Sequence, residues 1–296
     1  MDAISKFHSD EARDSYCRLY DSAVAASHIP VAESDVETSF GRTHLLIAGE
    51  PSNPPLIALH ALAMSSTMWL PLLHVLAARH RVIMIDVIGQ ASKSIASKPI
   101  TRTAHIVGWL DETLRALAVE GSPMICMSMG SCIGANYAMA YPQRVERLAL
   151  IAPVGLVSNQ RPGWLLRAGY ANYVRPTPAR TQSFFASLVC RENRSRLVRE
   201  PWASIVQQYV CGATGFRAPL NAVRPMRCDL RQLSEVGIPV TIAIGREESL
   251  HDGPTAAARF RRVLPHARIE LVDGANHVIP VDQPAIVDQI LTDFLS

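Results

Sequence analysis

The chain has 296 residues, 48% hydrophobic and 19% charged, a composition that can bury a large core and does not resemble a disordered tail. A formal net charge of +3, dispersed along the chain, argues against nucleic-acid or membrane-surface partners, and no apolar run approaches the roughly 20 residues that span a bilayer. The polar start M-D-A-I-S-K-F-H has no signal-like apolar core. The six cysteines lack C-x-x-C pairing and any metal-like spacing with histidine, so the expectation is a reduced, cytoplasmic protein with free thiols and no metal.

Residues 9–27 form an amphipathic helix pattern, with Tyr16, Leu19, Tyr20 and Val24 near helical spacing. Two short strands follow around the turn at Gly41. Apolar strand-like runs at 55–60, 81–87, 123–128, 147–154, 239–245 and 267–274 then alternate with helical patterns at 66–79, 103–119, 130–141, 255–264 and 282–295. Continuous apolar strands with helices between them predict an α/β fold: a mostly parallel central sheet covered by helices on both faces. About eighty residues after Val154 carry no matching strand. W-L-L-R-A-G-Y-A-N-Y, S-F-F-A-S-L-V-C and P-W-A-S-I-V-Q-Q-Y-V suit short helices there, an insertion on the sheet rather than an independent domain.

In an open α/β sheet, ligands bind beyond the carboxyl ends of the strands. M-I-C-M-S-M-G-S-C-I-G puts Ser128 at such an end, where strand turns into helix and small neighbours are needed. A lone S-x-G also suits a buried serine at a helix start. A serine nucleophile needs a base, and His277, in G-A-N-H-V-I-P after the last strand, is the best placed. His74, His80 and His105 fall on helix patterns, His44 on an early strand, and His8, His28 and His266 in polar contexts. The acid that orients the base lies in G-R-E-E-S-L-H-D, where Glu247, Glu248 and Asp252 are all available, Asp252 also suiting a helix cap. Two backbone N–H groups must face the developing oxyanion. Met129, just after the serine, supplies one, and the loop L-H-A-L-A-M after strand 55–60 is the place for the other.

Taken together these pieces resemble the α/β-hydrolase superfamily over nearly the whole chain, and the small capped carboxylesterase-like serine hydrolases in particular. The order serine, acid, histidine is that of the superfamily. L-I-A-L-H-A-L resembles its oxyanion loop, which implies Leu62 as the second donor. D-V-I-G-Q-A-S-K-S is similar to its D-x-x-G turn, and Y-P-Q-R-V-E-R-L-A-L-I-A-P to the segment after its nucleophile helix. G-R-E-E matches its G-x-x-D/E acid, which selects Glu248, and G-A-N-H its G-x-x-H. The resemblance divides the chain into a core of 1–156 and 236–296 and a helical cap of 157–235. Two glycines of the pattern are replaced, by Cys126 and Ala61. A side chain at 126 is expected to push strand and helix apart, and one at 61 to narrow the φ range and shift the Leu62 N–H.

Met127, Met64 and Trp164 are the expected substrate-binding side chains; Met127 and Met129, flanking the serine, suit adaptable apolar walls, Met127 equally suits core packing, and Trp164 suits either the roof of a pocket or the packing of the cap. The arginine-rich R-E-N-R-S-R-L-V-R in the cap suits either an anionic or carrier-bound acyl group or a solvated helix face. The resemblance thus implies a cofactor-independent serine hydrolase that cleaves a small-molecule carboxylic ester or thioester through an acyl-enzyme on Ser128. An acyltransferase, lyase or cyclase of specialised metabolism on the same site is the alternative, and a ligand-binding pseudo-hydrolase the other class. Serine at 128 argues against dehalogenases and epoxide hydrolases, which need aspartate there.

Overall fold

The structure is a computed structural model that describes residues 4, 6–156, 161–174, 176–217 and 228–296. The first residues of the expected cap, 157–160, and its stretch 218–227 lie outside the described residues. In chain order the strands are β1 (Lys6–Phe7), β2 (Val31–Thr38), β3 (Gly41–Ala48), β4 (Pro55–Leu59), β5 (Arg81–Ile85), β6 (Ile95–Ala96), β7 (Ser122–Met127), β8 (Val145–Ile151), β9 (Phe216–Arg217), β10 (Val240–Gly245) and β11 (Arg268–Val272). The main sheet has the order β11-β10-β8-β7-β4-β5-β3-β2, with β6 beside β3, and β1 pairs separately with β9. From β5 through β4, β7, β8 and β10 to β11 every pairing is parallel, while β2, β3 and β6 join antiparallel.

The apolar runs are continuous because both faces of each central strand are buried. Along β7, Met124 and Cys126 enter one apolar cluster while Ile125 and Met127 enter the other. The same alternation sends Ile57 and Leu59 of β4 to one side and Leu56 and Ala58 to the opposite side. Helices Thr103–Ala116, Met129–Ala140 and Gly253–Val263 cover the first face with Trp109, Tyr137 and Phe260. Helices Asp10–Ala25 and Pro284–Leu295 cover the second, with Tyr16, Tyr20 and Phe294.

Between β8 and β10 the described residues form helices Pro162–Gly169, Pro178–Ala186 and Trp202–Gly215, a π-helical turn Tyr170–Val174 and a 3-10 segment Arg191–Val198. Phe184, Phe185, Leu188, Val189 and Trp202 share the second apolar cluster with Trp69, Ile151 and Leu291, so this segment has no separate core.

Some elements end earlier than their patterns suggest. The expected helix at 66–79 is a 3-10 turn, Ser66–Leu72, followed by one α-helical turn, Leu73–Leu76, because Pro71 has no N–H to give. His80 therefore lies outside a helix, just before β5. The final helical pattern splits at Gln283, with Ile279–Asp282 before it and Pro284–Leu295 after, since the residue before proline leaves helical geometry.

Candidate active site

Ser128 ends β7 and precedes the helix Met129–Ala140 with φ 54° and ψ −112°, a conformation that costs a non-glycine residue on the order of 1–3 kcal/mol. The turn is held by its neighbours: the Ser128 N–H donates to the Ile151 carbonyl (2.9 Å), and the Ser128 carbonyl accepts from Ser131 (3.1 Å). The strained backbone turns the hydroxyl toward His277, whose Nε2 lies 2.9 Å from Ser128 Oγ. Nδ1 of the same ring lies 2.8 Å from Glu248 Oε2. A carboxylate can only accept, so it fixes the proton on Nδ1 and leaves Nε2 free to accept the serine O–H. All three side chains are buried, at 6%, 5% and 2% exposure for Ser128, His277 and Glu248.

Burial pushes the Glu248 carboxyl up, but the charge and hydrogen bond of His277, the His251 ring and the Leu250 N–H on Oε1 outweigh it, so its pKa falls below the ordinary value. The other acids of this segment do different work. Glu247 accepts from the Ala275 N–H (3.0 Å), and Asp252 caps helix Gly253–Val263 by accepting from Thr255 (2.9 Å). The structure thus joins Glu248, and neither of the other two candidates, to the histidine.

The start of helix Met129–Ala140 packs on the exit of β4. A Cβ on Gly130 would lie 2.4 Å from the Leu59 carbonyl oxygen and 2.8 Å from that of His60, so only glycine fits. The loop carrying Leu62 begins at this exit, and Met129 is the residue before Gly130. Neither the Leu62 nor the Met129 N–H pairs with a backbone carbonyl among the described residues. His60 anchors that loop: Nδ1–H donates to the Ala61 carbonyl (2.8 Å), while Nε2 accepts from the Val87 N–H (2.8 Å). Burial drives the His60 pKa down against the pull of Asp86 and the Ala61 carbonyl, favouring this neutral tautomer.

At the replaced glycines, Ala61 does not have a positive φ, and Ala63, two residues on with φ 60°, turns the loop. The sulfur of Cys126 lies over Gly134 of helix Met129–Ala140.

Met64 and Met127 are buried in the apolar cluster on the second face, and Trp164 packs against that cluster with its ring 5.8 Å from Phe184. Of the arginine-rich run, Arg196 donates to the Val281 and Asp282 carbonyls and Arg194 to the Val189 carbonyl, so these two serve the backbone. Sequence reasoning missed four residues around the site: His60, His251, Asn276 and Asp282. His60 and Asn276 stood inside motifs read only for their neighbours. His251 is buried and its Nε2 has no hydrogen-bond partner among the described residues. Cys17, Cys126, Cys190, Cys211 and Cys228 carry free thiols, and among the described residues no helix is long and apolar enough to cross a membrane.

A family model described as the alpha/beta hydrolase fold matches residues 54–284. The chain is 23% identical to carboxylesterase YbfK of Bacillus subtilis (strain 168) over 296 residues, 98% of this chain and 96% of that protein. A crystal structure of naproxen esterase (carboxylesterase NP) from Bacillus subtilis superposes with a TM-score of 0.87 at 24% identity, covering 97% of this chain and 99% of that one. The 2-hydroxy-6-oxo-6-phenylhexa-2,4-dienoate hydrolase of Rhodococcus sp. strain RHA1 superposes with a TM-score of 0.70 at 20% identity, covering 90% and 99%. At these identities the superpositions establish a common fold.

Proposed function

The chain belongs to the α/β-hydrolase fold family, and from that premise we propose that it is a serine hydrolase cleaving a carboxylic ester or thioester through an acyl-enzyme on Ser128. The observation that carries the reading is the unbroken hydrogen-bonded chain from Ser128 Oγ through the His277 ring to Glu248. The similarity to carboxylesterases over nearly the full length supports the same substrate class.

In this mechanism Ser128 Oγ attacks the substrate carbonyl while His277 Nε2 takes its proton. Glu248 holds the Nδ1–H and stabilises the imidazolium. The oxyanion rests on the N–H groups of Leu62 and Met129, the loss of one such donor raising the barrier by about 2.7–4 kcal/mol. The imidazolium then gives its proton to the leaving alcohol or thiol, and the C–O or C–S bond breaks. Water repeats the sequence: His277 takes its proton, the hydroxide equivalent attacks the acyl-enzyme, and Ser128 is released with its proton restored. In this reading residues 157–235 are the cap over the acyl group, with Trp164, Met64 and Met127 on its apolar side.

The test is intact mass after exposure to a serine-directed phosphonate, on the parent and on Ser128→Ala, followed by a panel of acyl esters and thioesters. One adduct on the parent, absent from the variant, with ester turnover that falls by on the order of 10⁴-fold or more in the variant, is the expected result. Unlabelled, well-folded parent without turnover on any ester or thioester would remove the reading.

A further inference from the structure

We propose that Asn276 is a positioning residue that fixes the acid loop and the histidine loop against each other and ties both to the helical segment between β8 and β10. The proposal rests on the triad reading above. Asn276 is 8% exposed and stands immediately before His277. Its Oδ1 accepts two N–H groups, that of His277 (2.8 Å) and that of Ser249 (2.9 Å), the residue after the acid. Its Nδ2 donates to the carbonyl of Ser187, the residue that caps helix Pro178–Ala186 (3.1 Å). One side-chain amide therefore joins three chain segments that are distant in sequence.

The backbone around it explains why an amide can bridge there. The histidine loop crosses the end of β10, where the acid loop begins: a Cβ on Gly245 would lie 2.3 Å from the Ala275 carbonyl oxygen and 2.4 Å from that of Asn276. The two loops are thus stacked, and their N–H groups converge on one oxygen. Asn276 is itself held from the other side, its N–H donating to Asp282 Oδ2 (2.8 Å). The same carboxylate accepts from the Cys190 N–H (3.0 Å) and from Asn193 Nδ2 (3.0 Å). The Val278 N–H donates to the Leu188 carbonyl (3.1 Å). Residues 187–193 are consequently bonded on both sides of His277.

The chemistry of this position is specific. Leucine, of similar shape, leaves two buried N–H groups and one carbonyl without partners. Aspartate keeps an acceptor for the two N–H groups but turns a second acceptor toward the Ser187 carbonyl. Asn276 touches no reacting atom; it acts through the Glu248–His277 hydrogen bond, whose geometry depends on the spacing of the two loops. A shift of residues 187–193 on substrate binding reaches the histidine by the same bonds.

The experiment compares the parent with Asn276→Ala and Asn276→Asp. It reads the far-downfield proton resonance of His277 Nδ1–H (assigned by its loss in His277→Gln), kcat and KM on a short-chain p-nitrophenyl ester, and the pH profile of kcat/KM. With thermal unfolding still cooperative, Asn276→Ala is expected to move or lose the resonance. Its kcat should drop by up to about 10²-fold with KM within a few-fold of parent, the signature of a displaced catalytic group. Asn276→Asp is expected to recover most of kcat, with the acid limb of the profile moved upward by the added charge. A folded Asn276→Ala with the parent's resonance, kcat and pH profile overturns the proposal. Should that variant not fold, Asn276→Asp decides. A retained resonance with faster amide exchange over 187–193 supports the role, and a lost resonance or unchanged exchange overturns it. The resonance needs no turnover, so a parent inert to esters and to the phosphonate would remove the hydrolase reading while leaving the positioning of His277 still measured.

Discussion

The sulfur of Cys126, fully buried in β7, occupies the hollow over Gly134 in helix Met129–Ala140: a Cβ at 134 would lie 2.4 Å from it. Strand and helix meet closely at this contact, and Ser128, two residues on, has a strained φ. Burial also pushes the Cys126 thiol far up, so it stays protonated and unreactive two residues before Ser128.

Gly134→Ala should therefore destabilise the fold by about 1–3 kcal/mol through overpacking. In a Cys126→Gly background the same change should be nearly neutral, a coupling of similar size between the two positions. Urea unfolding of the four proteins measures it. Additive effects would mean that the sulfur and the helix are not in contact.

Glu248 makes a pH-dependent contribution with a definite sign. Its pKa is held below the ordinary 4.5 in the fold: burial raises it, and His277, His251 and the Leu250 N–H lower it by more. A depressed carboxylate stabilises the native state above its unfolded pKa, and that stabilisation fades as pH falls through the lower, folded value. Below about pH 5 the stability difference between parent and Glu248→Gln should shrink as pH falls. The same variant should lose on the order of 10⁴-fold in kcat, because glutamine cannot hold the histidine in the required tautomer. A stability gap that widens as pH falls below about 5 would contradict this assignment.

Two buried histidines act in the same sense, at higher pH. His251 is pushed down chiefly by burial, with Glu248 pulling up and His277 and Arg161 adding to the depression; His60 is lowered by burial too. Both are neutral in the fold and must charge on unfolding in acid. Stability is complete above about pH 6.5 and declines as pH falls from there toward the folded values, by up to about 1.4 kcal/mol per pH unit for each ring. His251→Gln should remove one ring's share of that slope in urea titrations between pH 5 and 8. Parallel curves for variant and parent would show that His251 charges as easily in the fold as outside it.

The sheet was legible because β4, β5, β7, β8 and β10 are apolar at nearly every buried position, and a short run that is apolar on both faces suits a central strand covered by helices from either side. The pairing of Ser128 with His277 was legible from strand direction: Ser128 follows β7 and His277 follows β11, which run parallel, so both lie at the carboxyl end of the sheet. Glu248 was not separable from Glu247 and Asp252 by the residues alone, because the distinction is made by a loop whose conformation depends on Asn276 and Gly245. The fit of Cys126 was hidden because its partner, Gly134, lies across a strand–helix contact. His60 and Asn276 escaped for want of any periodic signal, their work being hydrogen bonds to single backbone groups.

Gly130 offers the sharpest test of how the oxyanion site is assembled. Unlike Gly134, whose nearest obstacle is a side chain, Gly130 faces the carbonyl oxygens of Leu59 and His60. Backbone at the exit of a buried strand cannot rotate away, so Gly130→Ala must move the helix start and the 60–64 loop apart. In the proposed mechanism that separates the Met129 and Leu62 N–H groups while leaving the His277–Glu248 bond, which sits on other strands, in place. The expected result is a loss of about 10²–10³-fold in kcat, with KM changed little and the His277 resonance retained. Steady-state kinetics together with that resonance separate the cases. Parent-like kcat in a folded Gly130→Ala would mean that oxyanion stabilisation does not depend on this contact, and the assignment of Leu62 and Met129 would have to be abandoned.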